Sequence, residues 1–273
     1  MSIEQCRALS TKRRCAFSSS LLTRTAASSL SAIPHGIFSF FFPAECRVCD
    51  VPLDGFTRVP VCHACLNAPA PLEAEYFCAS CNAPFQNRYP LDADGVCALC
   101  RSGLQGFDSA CSFGFYEGPL RSLIHLLKYA GMRPLAANLS PFLDRALPID
   151  ARHDFIVPVP LHWRRQWRRG FNQAELLARA VANRRRIPVL NALRRTKFTV
   201  NQAGLTGSGR RRNMTGAFQI REAETVRGKR ILLIDDVFTT GATASACAGA
   251  LKRAGAVSVT LLTLARADRR WRD

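Results

Sequence analysis

The chain has 273 residues, enough for one or two domains with a real core, and its hydrophobic content of 48% is that of an ordinary globular protein. No window approaches the ~20 apolar residues of a membrane-spanning helix; the run 37–42 is short and Pro43 ends it. The net charge of +18 is uneven: residues 1–150 carry 13 Lys and Arg against 12 Asp and Glu, whereas residues 151–273 carry 25 against 8, which points to a polyanionic partner such as a nucleotide, pyrophosphate or nucleic acid.

Residues 1–36 are rich in Ser, Ala and Arg with Glu4 as the one acid. They read as a disordered tail or a start-site extension, with a transit peptide as the weaker alternative. Eight of the 12 cysteines then fall into four Cys-x-x-Cys knuckles: Cys46/Cys49, Cys62/Cys65, Cys78/Cys81 and Cys97/Cys100. A two-residue gap lets both thiolates converge on one tetrahedral cation, and two knuckles complete a four-thiolate shell. The simplest reading is a double zinc ribbon over 37–104. Cys46, Cys49, Cys62 and Cys65 hold one ion; Cys78, Cys81, Cys97 and Cys100 hold the other. A cross-braced pairing of the first knuckle with the third uses the same residues, and His63 is a weaker substitute ligand. Both ions are expected to be structural, because residues 43–104 are poor in large aliphatics and cannot fold by burial alone. Structural zinc contributes about 10–16 kcal/mol of apparent binding energy, and four thiolates leave no position for a reacting water. Cys6, Cys15, Cys111 and Cys247 are left over, with Cys247 expected in a core.

From residue 105 onward strands alternate with helices, which predicts a doubly wound parallel sheet with helices on both faces. Phe107–Tyr116 reads as a strand. Leu120, Leu123, Ile124 and Leu127 share one helix face, and that helix ends at Lys128-Tyr129-Ala130-Gly131. A second helix buries Leu135, Leu139, Phe142, Leu143 and Ala146. Phe155–Val159 is a buried strand confined by Pro158 and Pro160 to the end of its sheet element. The connection that follows crowds Arg164, Arg165, Arg168 and Arg169 into six residues, ahead of a helix capped by Asn172 that buries Ala174, Leu177, Ala178 and Val181. A planar guanidinium fork suits a pyrophosphate; a solvated basic loop is the plain alternative. Trp163, Trp167 and Phe171 interleave with these arginines, a composition found on single-strand nucleic-acid surfaces, although core packing accounts for them equally well. Residues 194–218 form a long polar segment of the kind that serves as a lid, with Lys197 and Arg212 as candidate contacts.

Residues 231–243, Ile-Leu-Leu-Ile-Asp-Asp-Val-Phe-Thr-Thr-Gly-Ala-Thr, carry the most chemistry. Four aliphatics predict a strand buried on both faces, with two carboxylates at its carboxyl end. A small-residue loop then opens a helix over 242–255, which feeds a strand over 257–264. Ligands of open α/β sheets bind at strand carboxyl ends, and such a loop offers backbone N–H groups and a positive dipole end to a phosphate. Acids beside a phosphate cradle suit a ligand with a phosphate and vicinal hydroxyls, namely a ribose 5-phosphate. The bland alternative is a solvated Asp-Asp turn with a Thr N-cap.

This stretch resembles the phosphoribosyl diphosphate (PRPP) signature of type I phosphoribosyltransferases. The resemblance implies that Asp235 and Asp236 accept hydrogen bonds from the ribose hydroxyls and that Thr239, Thr240, Gly241, Ala242 and Thr243 wrap the 5-phosphate. Taken with the zinc knuckles, Lys128-Tyr129-Ala130-Gly131 and Arg169-Gly170-Phe171-Asn172-Gln173, the chain is similar over roughly residues 38–266 to the ComF family. That likeness implies a type I phosphoribosyltransferase-like domain over 105–273 behind the zinc ribbons. PRPP with Mg2+ is its implied ligand, with Lys128 in the site and Arg164, Arg165, Arg168 and Arg169 on the diphosphate. It further links some members to DNA uptake during natural transformation, which implies a bacterial, cytoplasmic protein with uptake-machinery proteins as partners, while the basic half and the zinc ribbons point to single-stranded DNA. Whether a transferase reaction occurs stays open. The alternative is an active phosphoribosyltransferase of nucleotide metabolism whose acceptor pocket lies in a hood around 107–133. The tail before His35 has no counterpart in the family pattern.

Overall fold

The computed structural model describes residues 44–53, 55, 57–102, 104, 106–196 and 216–267. The amino-terminal tail with Cys6 and Cys15, the apolar run 37–42, and residues 197–215 of the expected lid, with Lys197 and Arg212, lie outside the described residues. The cysteine-rich part holds α1 (His63–Asn67), the antiparallel pair β1 (Tyr76–Phe77) and β2 (Pro84–Phe85), and α2 (Ala98–Arg101). There follow β3 (Ser109–Phe115), α3 (Gly118–Tyr129), α4 (Leu135–Ala146), β4 (Phe155–Pro158), α5 (Trp163–Arg169) and α6 (Gln173–Arg185). The antiparallel pair β5 (Leu193–Arg195) and β6 (Phe218–Ile220), α7 (Ala223–Val226), β7 (Arg230–Phe238), α8 (Ala242–Arg253) and β8 (Ser258–Arg266) complete the chain. Among the described residues no helix is long and apolar enough to cross a membrane.

One four-stranded sheet organises the molecule, in the order β3-β8-β7-β4 with every pair parallel. Its central strands are nearly continuous aliphatic runs because both faces are covered. Leu232, Ile234, Leu262 and Leu264 face α4 and α6, while Ile231, Leu233, Val259 and Leu261 face α8. This is the helix-flanked parallel sheet that the alternation of strands and helices predicts. Leu120, Leu123, Ile124 and Leu127 are all buried, and so are Ala174, Leu177, Ala178 and Val181. Asn172 caps α6 as expected, its side-chain oxygen accepting from the Ala174 N–H at 3.0 Å while its amide donates to the Val159 carbonyl at 3.0 Å. α4 contains Pro141, which cannot donate to the Ala137 carbonyl; the buried Ser140 hydroxyl donates to it at 2.9 Å instead.

Two segments differ from the sequence expectation. The basic connection 163–169 is a helix rather than a loop. His162 opens it, its Nδ1 accepting from the Arg164 N–H at 3.3 Å, and Gly170 closes it with φ of 73°. Arg and Gln are good helix formers, so capping at both ends is enough to order so short a run. Likewise β7 does not end at the acids. It continues through Asp235 and Asp236 to Phe238, because β8 is long enough to keep pairing, Asp235 with Thr263 and Phe238 with Arg266.

The cysteine-rich segment draws on the sheet for its core. Cys46, Val61 and Cys65 share an apolar cluster with Phe113, Leu120 and Ile124. Cys78, Cys81, Cys97 and Cys100 share another with Leu104, Phe107, Phe238 and Ala242, on the opposite face of the sheet. The stretch between them crosses the edge strand β3, where the Leu72 N–H donates to the Phe113 carbonyl at 2.6 Å. Gly114 permits this approach, since a Cβ there would meet the Ala70 carbonyl oxygen at 2.6 Å.

Candidate ligand site and metal centres

Successive residues of a strand point to opposite faces of its sheet, so the two acids of β7 are not equivalent. Asp236 is 5% exposed and fully engaged. Its Oδ1 lies 2.8 Å from Lys128 Nζ, and its Oδ2 accepts from Gln173 Nε2 at 2.6 Å. Lys128 comes from the last turn of α3 and Gln173 opens α6. Arg169, at the end of α5, donates to Gln173 Oε1 at 3.0 Å, its guanidinium 5.0 Å from the Tyr129 ring. Burial works to deprotonate Lys128, yet the carboxylates of Asp236 and Asp235 outweigh it and hold its pKa above the ordinary lysine value.

Asp235 faces the other way, into a small cleft that it lines with Thr239, Gly241, Thr243 and Thr263. The cleft encloses about 40 Å³, the scale of one small polar group. Burial, and then the negative charge of Asp236, push the Asp235 carboxyl up to about 7, against the downward pull of the Asp236 N–H, Lys128 and Arg195. That N–H donates to Asp235 Oδ1 at 2.9 Å. Ser112, Thr263 and Asp235 occupy one register row across β3, β8 and β7, and the hydroxyl oxygens of Ser112 and Thr263 are 2.7 Å apart.

At the mouth of the cleft β7 gives way to Thr239-Thr240-Gly241. Gly241 has φ of 70°, and a Cβ there would lie 2.5 Å from Leu104 Cδ1 and 2.9 Å from Phe238 Cζ. Only glycine satisfies both the conformation and the space. Among the described residues no side chain caps α8, whose first-turn N–H groups have no partner within the helix and so suit an anion. Thr243 lines the cleft from that first turn, whereas Thr240 and Ala242 are not among the lining side chains.

The four arginines of α5 divide. Arg169 joins the Gln173–Asp236 network. Arg165 is half-buried near Arg195 and His162. Burial lowers the pKa of both, and Arg165 adds to that shift; Arg195 itself and Arg164 also act on His162. Arg164 and Arg168 are exposed. Trp163 and Trp167, one helical turn apart, are 63% and 86% exposed, so core packing does not account for them. It does account for Phe171, buried beneath the Arg133 guanidinium at 5.1 Å.

The knuckles pair in tandem. The sulfurs of Cys46, Cys49, Cys62 and Cys65 all lie within 4.8 Å of one another, and so do those of Cys78, Cys81, Cys97 and Cys100. The Cys49–Cys62, Cys78–Cys100 and Cys81–Cys97 separations are 3.7, 3.8 and 3.8 Å. A tetrahedron with Zn–S bonds of ~2.3 Å has edges of ~3.8 Å, so each group can hold one zinc ion. The local backbone repeats. The Asp50 N–H donates to the Cys46 carbonyl at 2.8 Å and the Asn82 N–H to the Cys78 carbonyl at 2.9 Å. Asp50 and Asn82 both take positive φ, which Asp and Asn tolerate best after Gly. The second knuckles open α1 and α2, and the N–H groups of Cys62 and Cys97 donate to the Cys46 and Cys78 sulfurs, each at 3.3 Å. Burial raises the Cys46 pKa, but backbone N–H donors more than offset it and bring the thiol down to about 6; the Cys100 and Cys81 thiols bring Cys78 to about 6. His63 is exposed and outside both groups.

No family model matches the chain. Competence protein F of Haemophilus influenzae is 35% identical to it over 170 residues, which is 59% of this chain and 74% of that protein. The chain belongs to the competence protein F (ComF) family. DNA utilization protein YhgH of Escherichia coli (strain K12) is 36% identical over 162 residues, 55% of this chain and 69% of the relative. Competence protein ComFC of Bacillus subtilis (strain 168) is 28% identical over 158 residues, 55% and 61% respectively. Among solved structures, the glutamine PRPP amidotransferase of B. subtilis complexed with ADP and GMP aligns with a TM-score of 0.34 and 19% identity, over 48% of this chain and 26% of that one.

Three of the four segments that carry the ComF resemblance, all but the zinc knuckles, thus meet at one place: Lys128 and Gln173 close on Asp236 from two different helices. Gln173 and Tyr129 lie inside those segments, yet nothing in the sequence gives them a role. Ser112 and Thr263 carry a weaker signal, as polar breaks in largely apolar strands, and Arg195 carries none, since its strand reads Leu-Arg-Arg.

Proposed function

We propose that this ComF-family protein binds PRPP with Mg2+ at the carboxyl end of β7 and serves DNA uptake by handling single-stranded DNA. The observation that carries the reading is the cleft where Asp235 faces the uncapped start of α8 across Thr239, Gly241 and Thr243. A helix start suited to an anion and an acceptor for hydroxyls line the same cleft. On this reading the turn and the first N–H groups of α8, those of Thr240 and Ala242 included, hold the 5-phosphate. Asp235 accepts from the ribose hydroxyls. Asp236 acts one step removed, holding Lys128 and, through Gln173, Arg169, which with Arg165 meet the diphosphate. Mg2+, a hard cation that retains water ligands, would offset the charge of the diphosphate.

The DNA part rests on the names of the relatives, Competence protein F and DNA utilization protein YhgH, on the basic carboxyl-terminal half, and on the exposed Arg164, Arg168, Trp163 and Trp167. Uptake-machinery proteins are the expected company, and the bacterial cytoplasm, which keeps thiols reduced, the expected compartment. Calorimetric titration of the full chain with PRPP and Mg2+ tests the site. Saturable binding that Asp235→Asn weakens at least tenfold supports the reading; binding untouched by that substitution, or absent, removes it. Pyrophosphate release in the presence of bases, amines or oligonucleotides separates a transferase from a binding protein.

A further inference from the structure

Arg266 closes β8 and is the largest fully buried side chain described, 2% exposed. A buried guanidinium is strongly disfavoured unless its donors and its charge are answered. Here its Nη1 donates to the Cys81 carbonyl at 2.8 Å, its Nη2 reaches Cys81 Sγ at 3.3 Å, and its carbon lies 4.2 Å from the centroid of the Phe238 ring. One end of this side chain therefore grips a member of the second cysteine group, and its face rests on the last residue of β7, immediately before Thr239. Arg266 is also the strand partner of Phe238, and the Ala267 N–H donates to the Phe238 carbonyl at 2.8 Å.

The same group approaches the turn from a second side. Leu104, four residues beyond Cys100, fills the space a Gly241 side chain would need, and Phe107 meets Phe238 edge-on at 6.2 Å. The floor beneath Thr239–Gly241 is thus built from the segment that the second group folds. Among the described residues the first group has no such contact: Cys46 and Cys65 pack on the opposite face with Leu120 and Ile124 of α3. A thiolate holding zinc shares its charge with the ion and remains a good acceptor for a cationic donor, as outer partners of metal ligands commonly are.

We infer that Arg266 is a positioning residue through which a zinc ion on Cys78, Cys81, Cys97 and Cys100 fixes the Thr239–Gly241 turn, so that this group alone sets the turn's readiness for a phosphate. The inference rests on the functional reading above, but its first test needs no ligand. In the full chain with two ions bound, amide hydrogen exchange over 239–244 should quicken at least tenfold in Arg266→Met and stay unchanged over α1. Arg266→Lys, which keeps the cation, should recover part of the protection. Phe238→Leu removes the ring and leaves Cys81 untouched, so it should loosen the same amides even where Arg266→Met folds poorly. Unchanged exchange in Arg266→Met or in Phe238→Leu overturns the inference. The second test uses reciprocity between linked sites. Saturating PRPP with Mg2+ should slow zinc loss to a chromogenic chelator from the second group severalfold and leave the first alone; bound PRPP that slows both equally, or neither, also overturns it. A chain that binds no PRPP at all sinks the functional reading instead, and the exchange result still decides for or against Arg266.

Discussion

Lys128 Nζ and Asp236 Oδ1 stand 2.8 Å apart, tying the last turn of α3 to the strand that carries both acids, with side chains only 13% and 7% exposed. Removing one member of such a pair leaves a charge buried without its partner, which costs about 3–5 kcal/mol. Lys128→Met and Asp236→Ala should each lower the free energy of urea unfolding by an amount of that order. Together they should lower it by clearly less than the sum, because the second change removes the charge that the first one strands. Strict additivity would show that the two side chains do not interact in solution.

Asp235 should make both stability and ligand binding depend on pH. Its carboxyl is pushed up to about 7 in the fold, against about 4 in an unfolded chain. The folded state therefore holds the proton more tightly, and ionisation of Asp235 subtracts stability as pH rises from about 4 through 7. Asp235→Asn should gain stability relative to the parent across that window, as read by denaturation at a series of pH values. Ribose hydroxyls donating to the carboxylate favour its ionised form, so PRPP binding near pH 6.5 should release protons. Calorimetry in two buffers of different ionisation enthalpy measures that release, and Asp235→Asn reports the part due to PRPP itself.

Gly241→Ala places a Cβ 2.5 Å from Leu104 Cδ1 at a residue with φ of 70°. Strain of this kind costs about 1–3 kcal/mol, and relief requires the turn to move away from Phe238. Thermal unfolding should register the loss, and PRPP affinity should fall by more than global stability does, because the displaced groups are the phosphate donors. An alanine variant with unaltered affinity would disconnect this turn from the phosphate.

Much of this arrangement is legible in one dimension. The one-sided burial of Leu120, Leu123, Ile124 and Leu127 follows from helical spacing alone, and the Cys-x-x-Cys gaps announce two four-sulfur groups. Other features depend on distant chain. Asp235 and Asp236 look like a matched pair in sequence, but strand alternation sends them to opposite faces. The partner that distinguishes Asp236, Gln173, is 63 residues away. The run of β7 past the acids is decided by the length of β8, and the exposure of Trp163 and Trp167 by the absence of any described element packed over that side of α5. The sparse aliphatics of 43–104 read as a segment held by metal, whereas Val61, Ala83 and Phe85 find their neighbours in the two cores of the sheet.

The two cysteine groups should release their ions at different rates. Cys49 is exposed and Cys62 half-buried in the first group, while all four members of the second are buried. Freshly purified chain should carry two zinc ions by elemental analysis. A thiol reagent with a chromogenic chelator should then free them in two phases of equal size. Cys49→Ser should abolish the fast phase and keep the slow one, with the sheet still folded by circular dichroism. A single phase, or loss of both ions from Cys49→Ser, would contradict the packing of the two groups on separate faces.

The exposed face of α5 offers a way to separate stacking from charge in nucleic-acid binding. Trp163 and Trp167 present rings to solvent one turn apart, with Arg164 and Arg168 beside them. Bases stacked on such rings contribute about 1–3 kcal/mol each, and stacking releases no counterions. Trp163→Ala with Trp167→Ala should therefore weaken binding of a thymidine oligonucleotide by tenfold or more without changing the slope of log affinity against log salt. Arg164→Gln with Arg168→Gln should instead flatten that slope, by about 0.7 for each phosphate that is no longer neutralised. Fluorescence titration over a range of salt concentrations reads both quantities at once. If the tryptophan pair leaves affinity intact while the arginine pair lowers it, the strand lies along the cations without using the rings. If neither pair matters, the oligonucleotide binds elsewhere on the basic half of the chain.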